Sequence, residues 1–168
     1  MIGWLEFNPM ANKLISKIKS PVALRRILSK KKSKAVFTNG CFDLLHPGHV
    51  TYLEGARKLG DLLIVALNSD ESVKRIKGPE RPINPLEDRL TVIAALESVD
   101  YVTWFGEDTP LEIIRQLRPK ILVKGADWKE KPVVGSEDVL SWGGCVRLLK
   151  YVEGRSTTAI IAKMKKVR

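Results

Sequence analysis

The stretch "DLLIVALN" at residues 61–68 contains six consecutive apolar residues. A continuous apolar run of this length is typical of a strand that is buried on both faces, as in a parallel sheet covered by helices. Shorter runs of the same kind recur along the chain. They are "KAVFTN" (34–39), "DYVTWF" (100–105), "KILVKG" (120–125) and "CVRLLKY" (145–151). The pattern predicts about five short buried strands.

Helical patterns separate these runs. The first predicted helix begins at Pro47 and ends near Gly60, and the second covers 69–76 with Ser69 and Asp70 as cap candidates. The third covers 85–99, and the fourth covers 109–117 with Thr109 as its cap. A final helix begins after Gly154. Strand and helix alternating at this spacing favour a Rossmann-like open parallel α/β sheet of about five strands, with helices on both faces.

The length of 168 residues suits one domain with a full hydrophobic core. We expect residues 34–168 to form that domain and residues 1–33 to be an N-terminal helical extension, in which "SPVALRRIL" has a Ser-Pro helix start.

The formal net charge of +10 comes from the two ends of the chain. Residues 1–34 contribute +8 and the last six residues +4, whereas residues 35–162 contribute −2. We interpret the ends as solvated basic helices and expect no nucleic-acid partner. The apolar runs are too short for a membrane span, and the N-terminus lacks a signal pattern. We therefore expect a cytoplasmic protein, with Cys41 and Cys145 as reduced thiols.

The unusual residues follow the predicted strands. These segments are "TNGCFDLLHPGH" after the first strand, "NSDESVKRIKGPERP" after the second, "KGADW" after the fourth and "EGRSTT" after the last. Ligands bind at the carboxyl ends of the strands in open α/β sheets. We therefore expect these four segments to converge on one crevice.

The segment "HPGH" contains the only two histidines of the chain, His46 and His49. Pro47 presets the first turn of a helix, and Gly48 allows a ligand to approach the backbone. A helix N-terminus attracts phosphate, and two imidazoles one turn apart would reach the same phosphates as donors. A metal site is disfavoured because the chain has no third histidine and only distant cysteines. Two incidental surface histidines are the remaining alternative.

These segments, together with "GRSTT", resemble the HxGH nucleotidyltransferase superfamily. Within it, residues 34–164 are most similar to the heptose-1-phosphate adenylyltransferase family, which is often fused to a sugar kinase. No kinase segment is present here, so we expect the transferase alone. The resemblance implies ATP and a sugar 1-phosphate as substrates, Mg²⁺ bound with the ATP, and a homo-oligomer.

The resemblance also implies site residues. His46, His49 and Lys77 would be catalytic. The nucleotide would be bound by Thr38, Asn39, Gly40, Cys41, Phe42, His46, Gly48, His49, Lys124, Gly125, Asp127, Ser156, Thr157 and Thr158. The sugar phosphate would be bound by Asp43, Lys77, Arg81 and Arg89.

Several of these roles have a structural alternative. Asp43 could cap the following helix, Lys77 could be a solvated side chain, and Asp127 could close a turn. Arg81 and Arg89 could clamp phosphate or form structural ion pairs, and neither interpretation is favoured.

One position departs from the cytidylyltransferase pattern. Tyr151 stands where an arginine is expected four residues before the Ser-Thr-Thr motif, and either Lys150 or Arg155 could supply the charge. The alternative function is a CTP-dependent cytidylyltransferase acting on glycerol 3-phosphate or a phospho-alcohol, and this departure weakens it more than the heptose interpretation.

Overall fold

The computed structural model describes residues 14–30, 33–125, 132–150 and 157–165. The strands in these ranges are β1 (Ala35–Gly40), β2 (Leu62–Asn68), β3 (Tyr101–Phe105), β4 (Ile121–Gly125) and β5 (Cys145–Leu149). The helices are α1 (Pro21–Lys30), α2 (Pro47–Arg57), α3 (Asp70–Lys77), α4 (Leu86–Ala94), α5 (Leu111–Leu117), α6 (Ser136–Ser141) and α7 (Thr157–Lys165). None of the helices in these ranges has the length and apolarity needed to cross a membrane.

The five strands form one parallel sheet in the order β3-β2-β1-β4-β5. All seven residues of β2 are buried, as its continuous apolar run requires. The predicted five-stranded parallel α/β fold is thereby confirmed. The chain runs outward from β1 to β3 and then crosses back to β4, so the topological switch point lies between β1 and β4.

Helices cover both faces of the sheet. Alternation along β1 sends Val36 to one face and Phe37 to the other. The face of Val36 packs against α2 and α4, through buried residues such as Leu53 and Ile93. The opposite face packs against α1, α5 and α6, where Leu24 of α1 is fully buried.

The segment before α1 covers the outer edge of β3. Ile18 pairs with Val102 in a parallel bridge, and the Lys19 N–H donates to the Val102 carbonyl at 2.9 Å. The Lys17 ammonium donates to the Leu96 carbonyl at 3.1 Å. An uncovered edge strand would expose backbone groups to other chains. Residues 17–19 therefore close one side of the sheet, while the domain boundary near residue 33 stays a prediction.

Capping residues and prolines predicted the positions of the helices more accurately than the residues at which the helices begin and end. Ser69 caps α3 as predicted, accepting a hydrogen bond from the Ser72 N–H. The Thr109 cap is wrong: Pro110 is the N-cap of α5 and no side chain caps the helix. The N-cap lies one residue later than predicted, which leaves Thr109 outside the position whose hydroxyl reaches the first free N–H groups. The helix predicted over 85–99 spans Leu86–Ala94, and α6 was not predicted.

Candidate functional site

The edge at which we predicted the ligand-binding crevice is the one where β1 and β4 end side by side. The buried Lys124 of β4 donates from its ammonium to the Asn39 side-chain oxygen of β1. The Thr157 hydroxyl at the start of α7 donates to the Leu44 carbonyl at 3.1 Å. The segments that follow β1 and β5 therefore meet beside the end of β4, and this edge is the site at which an open α/β sheet binds ligands.

The histidine pair, His46 and His49, stands at the N-terminus of α2. His46 is the N-cap residue in an extended conformation, and Pro47 opens the helix. The two imidazole rings stack with centroids 3.8 Å apart and planes inclined by 21°. The Phe42 ring packs against His49 at 5.1 Å, so the pair is held between an aromatic ring and the helix start. This placement directs both rings to the end of a helix that favours anions.

His49 is uncharged at neutral pH. Burial, with a further contribution from the neighbouring His46, lowers the pKa of His49 from 6.5 to about 4. Its Nδ1 atom is buried and has no hydrogen-bond partner in the described part of the chain. A neutral imidazole has one N–H donor and one acceptor nitrogen. His49 would therefore contribute hydrogen bonding to a ligand rather than net positive charge.

Asp43 fastens the loop between α3 and α4 to the end of β1. Its carboxylate accepts hydrogen bonds from the Ile83 N–H at 2.8 Å, the Asn84 N–H at 3.0 Å and the Arg81 guanidinium at 2.5 Å. Burial opposes ionisation, but these hydrogen bonds and the Arg81 charge outweigh it and lower the pKa of Asp43. Asp43 is 3% exposed and its carboxylate holds this loop, so the helix-cap alternative does not describe it.

Arg89 joins the ends of β1 and β2 to the same loop. Its guanidinium donates to the carbonyls of Cys41 at 2.6 Å, Asn68 at 2.9 Å and Asn84 at 3.0 Å. It also pairs with Asp70 at 2.7 Å. The guanidinium is fully buried and has only five N–H donors. These contacts favour the structural interpretation of Arg89, and phosphate binding by this residue stays a prediction.

Lys77 directly precedes the loop that Asp43 binds. It is the exposed last residue of α3, and Gly78 follows it with φ of 100°, a conformation that favours glycine. Burial raises the pKa of the Cys41 thiol, and Lys77 is the strongest of the nearby charges that oppose this shift. Lys77 therefore lies close enough to the loop after β1 for its charge to act there.

Three smaller features shape the loop after β1. The Thr38 hydroxyl, fully buried, shares a hydrogen bond of 2.8 Å with the Tyr52 hydroxyl of α2. A Cβ atom added at Gly40 would lie 3.0 Å from the Phe42 ring, so a larger residue would press on the loop. Gly48 and Gly125 are buried at the ends of the elements that face the crevice.

Sequence reasoning missed three residues that organise the site. Tyr52 gives no signal because a tyrosine on a helix is ordinary. Asn84 precedes Pro85, a dipeptide that indicates a turn, and this could have marked it. Asp70 was identified only as a cap candidate, although it is the ion-pair partner of Arg89.

Part of the predicted site lies outside the described residues. Asp127 and Ser156 fall there, as does the side chain of Thr158. Within the described residues, no three His, Cys, Asp or Glu side chains are grouped so as to hold a metal ion.

Curated proteins of high sequence identity match most of this chain. "Bifunctional protein HldE" of Campylobacter concisus is 59% identical over 150 residues, which are 89% of this chain and 31% of that protein. The protein of the same name from Pasteurella multocida is 51% identical over 154 residues, 90% of this chain and 32% of that protein. The chain thus spans about a third of the length of the curated relatives it matches.

Solved structures share the fold. The lipopolysaccharide core biosynthesis protein from Thermoplasma volcanium has a TM-score of 0.60 and 29% identity, covering 73% of this chain and 99% of that one. Pantoate-beta-alanine ligase from Francisella tularensis, with a TM-score of 0.58, 14% identity and coverage of 88% and 76%, is similar in fold alone. The family model described as "Cytidylyltransferase-like" matches residues 37–163. This match confirms the resemblance, and the chain belongs to the cytidylyltransferase-like family.

Proposed function

We propose that this protein transfers AMP from ATP to a heptose 1-phosphate, releasing pyrophosphate and leaving ADP-heptose for a surface glycan such as lipopolysaccharide. The observation that carries the reaction type is the stacked histidine pair at the N-terminus of α2. The choice of substrates is supported by the relatives named HldE, at 51–60% identity. It is further supported by a solved relative named for lipopolysaccharide core biosynthesis.

The reaction requires positioning rather than acid or base chemistry. A phosphate oxygen of the sugar 1-phosphate attacks the α-phosphorus of ATP, and the bond from that phosphorus to the bridging oxygen of pyrophosphate breaks. The attacking phosphate is already an anion at neutral pH, so no proton has to be removed. Catalysis therefore consists of alignment and of stabilising the charge that develops on the phosphoryl oxygens.

The described residues divide this work. The N-terminus of α2 supplies a partial positive charge, and the histidine pair supplies donors aimed at the phosphates. Because His49 is neutral, full positive charge at the phosphates would come from other groups, among which Lys124 and Lys77 were predicted. Lys124 is buried beside β1 and Lys77 is exposed at the end of α3, so each would meet a different part of the substrates.

Mg²⁺ would enter with ATP as part of the substrate. The described residues offer no cluster of three ligands, and Asp43 already accepts three hydrogen bonds. The ATP phosphates would therefore hold the ion. It would offset the negative charge of the phosphates. We place the protein in the cytoplasm, where ATP is available.

The test uses the purified chain with ATP, Mg²⁺ and a panel of sugar 1-phosphates that includes both anomers of heptose 1-phosphate. Pyrophosphate release and the mass of the nucleotide sugar are followed. A second arm supplies CTP with glycerol 3-phosphate. We expect turnover with ATP and a heptose 1-phosphate. Turnover in the CTP arm alone would replace this proposal with the cytidylyltransferase alternative.

A further inference from the structure

A cleft of about 580 Å³ lies at the end of the sheet opposite the histidine pair. It is bounded by the first residues of β1 and β5 and by the end of α5. The six residues of β1 separate this cleft from the loop that contains the histidines. At a rise of about 3.3 Å per residue, that is roughly 17 Å, too far for one small ligand to occupy both places.

Four cationic side chains from three segments line the cleft: Arg25, Lys34, Arg118 and Lys120. No Asp or Glu lines it within the described ranges. The carboxylate of Asp61 accepts a hydrogen bond from the Lys34 backbone N–H at 2.6 Å, not from the Lys34 side chain. We call this cavity the basic cleft.

The charges of the basic cleft have no ion-pair partner among the described residues, unlike five arginines outside the cleft. Elsewhere in the described structure, five arginines pair with a carboxylate: Arg57, Arg75, Arg81, Arg89 and Arg115. Neither arginine of the cleft does so. Cations gathered without a counter-charge repel one another, and a bound anion removes that repulsion.

Arg118 is held in place at the edge of the cleft. Its φ of 51° lies in the left-handed region, where a helix end usually has glycine or asparagine. Its guanidinium lies over the Trp142 ring at 5.1 Å, and the Lys120 ammonium donates to the Trp142 carbonyl at 3.4 Å. Trp142 therefore positions two of the four cations.

The remaining lining suits a ligand with polar and apolar parts. The Ser33 hydroxyl oxygen is buried and has no hydrogen-bond partner in the described ranges. Leu28 and Leu117 supply apolar surface. The volume falls in the range of small-molecule sites, and guanidinium groups match phosphate geometry. We propose that the basic cleft is a second binding site, separate from the proposed active site, for a small molecule that has linked phosphate groups.

The test is a calorimetric titration of the full chain with inorganic tripolyphosphate at low and moderate salt. The cleft variant combines Arg118→Gln with Lys120→Gln. The control variant combines Arg26→Gln with Lys30→Gln, which removes the same charge from exposed positions of α1 that do not line the cleft. We expect the cleft variant to bind one equivalent of tripolyphosphate fewer than wild type does. If the number of equivalents is unchanged, its affinity for tripolyphosphate at one class of site should fall at least tenfold. The control should match wild type.

Tryptophan fluorescence provides a second measurement. Displacement of Arg118 by the anion should change the emission of wild type, and Trp142→Phe should abolish that change. Equal stoichiometry in wild type and cleft variant, or equal weakening in cleft and control variants, would overturn the proposal. Tighter binding of a single-stranded oligonucleotide than of tripolyphosphate would overturn it too. These outcomes do not depend on the proposed enzymatic activity. The binding measurements compare wild type with variants at the end of the sheet opposite the histidine pair, so the cleft proposal can fail or hold whether or not the enzyme activity is found.

Discussion

The loop after β1 contributes to two polar clusters that differ in where their hydrogen bonds go. In the anchor cluster, formed by Asp43, Arg81, Asn84, Arg89 and Asp70, the buried charges bind other parts of the protein. In the histidine pair, the His49 Nδ1 atom is buried without a partner in the described structure. Burying a polar group without a hydrogen bond costs free energy.

We interpret the anchor cluster as a scaffold and the histidine pair as part of the predicted ligand site. The donors of Arg89 are directed to carbonyl groups and a carboxylate, so they hold three chain segments in a fixed arrangement. The imidazole of His49 retains hydrogen-bonding capacity that phosphate oxygens could use. Mutations in the anchor cluster should therefore reduce stability first, and mutations in the histidine pair should reduce turnover first.

The largest expected effect is on folding. Arg89→Met leaves the carboxylate of Asp70 and three carbonyl groups without their donor, and we expect the free energy of unfolding to fall by about 3–5 kcal/mol. Urea unfolding measures this. Arg115→Met is the matched control, because Arg115 is half-exposed and its surface ion pairs should contribute little to the free energy of unfolding. Equal losses in the two variants would remove the distinction between anchor and surface arginines.

The second effect is on turnover. His46→Ala and His49→Ala should each lower kcat by roughly 10²–10³, the scale for loss of a donor to a transition state. Pyrophosphate release with ATP and a heptose 1-phosphate measures this. The melting temperature should fall far less than in Arg89→Met, since Arg89 joins three chain segments through four hydrogen bonds. Near wild-type kcat in both variants would defeat the proposed role of the pair.

A third effect concerns acid stability. The folded pKa of His49 is about 4 and its ordinary value is 6.5, so the unfolded chain binds a proton more readily. Stability from this residue is therefore complete above pH 6.5 and is lost as the pH falls towards 4, by up to about 3 kcal/mol. Urea unfolding at several pH values should show this slope in wild type and a flatter one in His49→Asn.

Protonation of Asp43 should reduce stability in a different pH range from that of His49. Because its pKa is lowered in the folded state, Asp43 stabilises the protein above pH 3.8, its ordinary pKa, and that stability is lost only as the pH falls below this value.

The His49 prediction would be contradicted if the stability of His49→Asn fell as steeply as that of wild type between pH 6.5 and 4. That result would show that another group titrates in this range.

The smallest effect concerns the link between α7 and the loop after β1. Thr157→Val removes the hydroxyl that donates to the Leu44 carbonyl, and we expect a loss of about 1 kcal/mol in stability with a modest rise in KM for ATP. Thr91→Val is the control, because its hydroxyl bonds only within α4 on the exposed surface. A KM that is the same in both variants would indicate that α7 does not help to bind the nucleotide.

Part of the fold and part of the candidate site could be predicted from short stretches of sequence. The apolar run of β2 predicted a strand buried on both faces, and Pro47 between two histidines predicted a helix start beside them. These signals work because burial on both faces and the geometry of proline are local constraints. A general rule about parallel sheets predicted that the segments after β1, β2, β4 and β5 converge. Contacts of Asp43 and Thr157 bring the described parts of the segments after β1, β2 and β5 together, and most of the segment after β4 lies outside the described residues.

The roles of charged side chains could not be predicted in this way. Arg89 was equally compatible with a phosphate clamp and an ion pair, because the choice depends on which acceptors distant segments bring to it. Cys41, Asn68 and Asp70 supply those acceptors. The basic cleft was also hidden, since Arg25 and Arg118 are far apart in sequence and come together only when α1 and α5 pack on the same face.

The sequence by itself determined the parallel α/β fold, the family and the position of the histidine pair, because periodicity, proline and a short motif act over neighbouring residues. The tertiary structure decided which polar groups are satisfied within the described part of the protein and which, like the His49 Nδ1 atom, have no partner there. The physical reason is that the fate of a buried charge depends on hydrogen-bond partners from other elements, and only the packed fold brings these together.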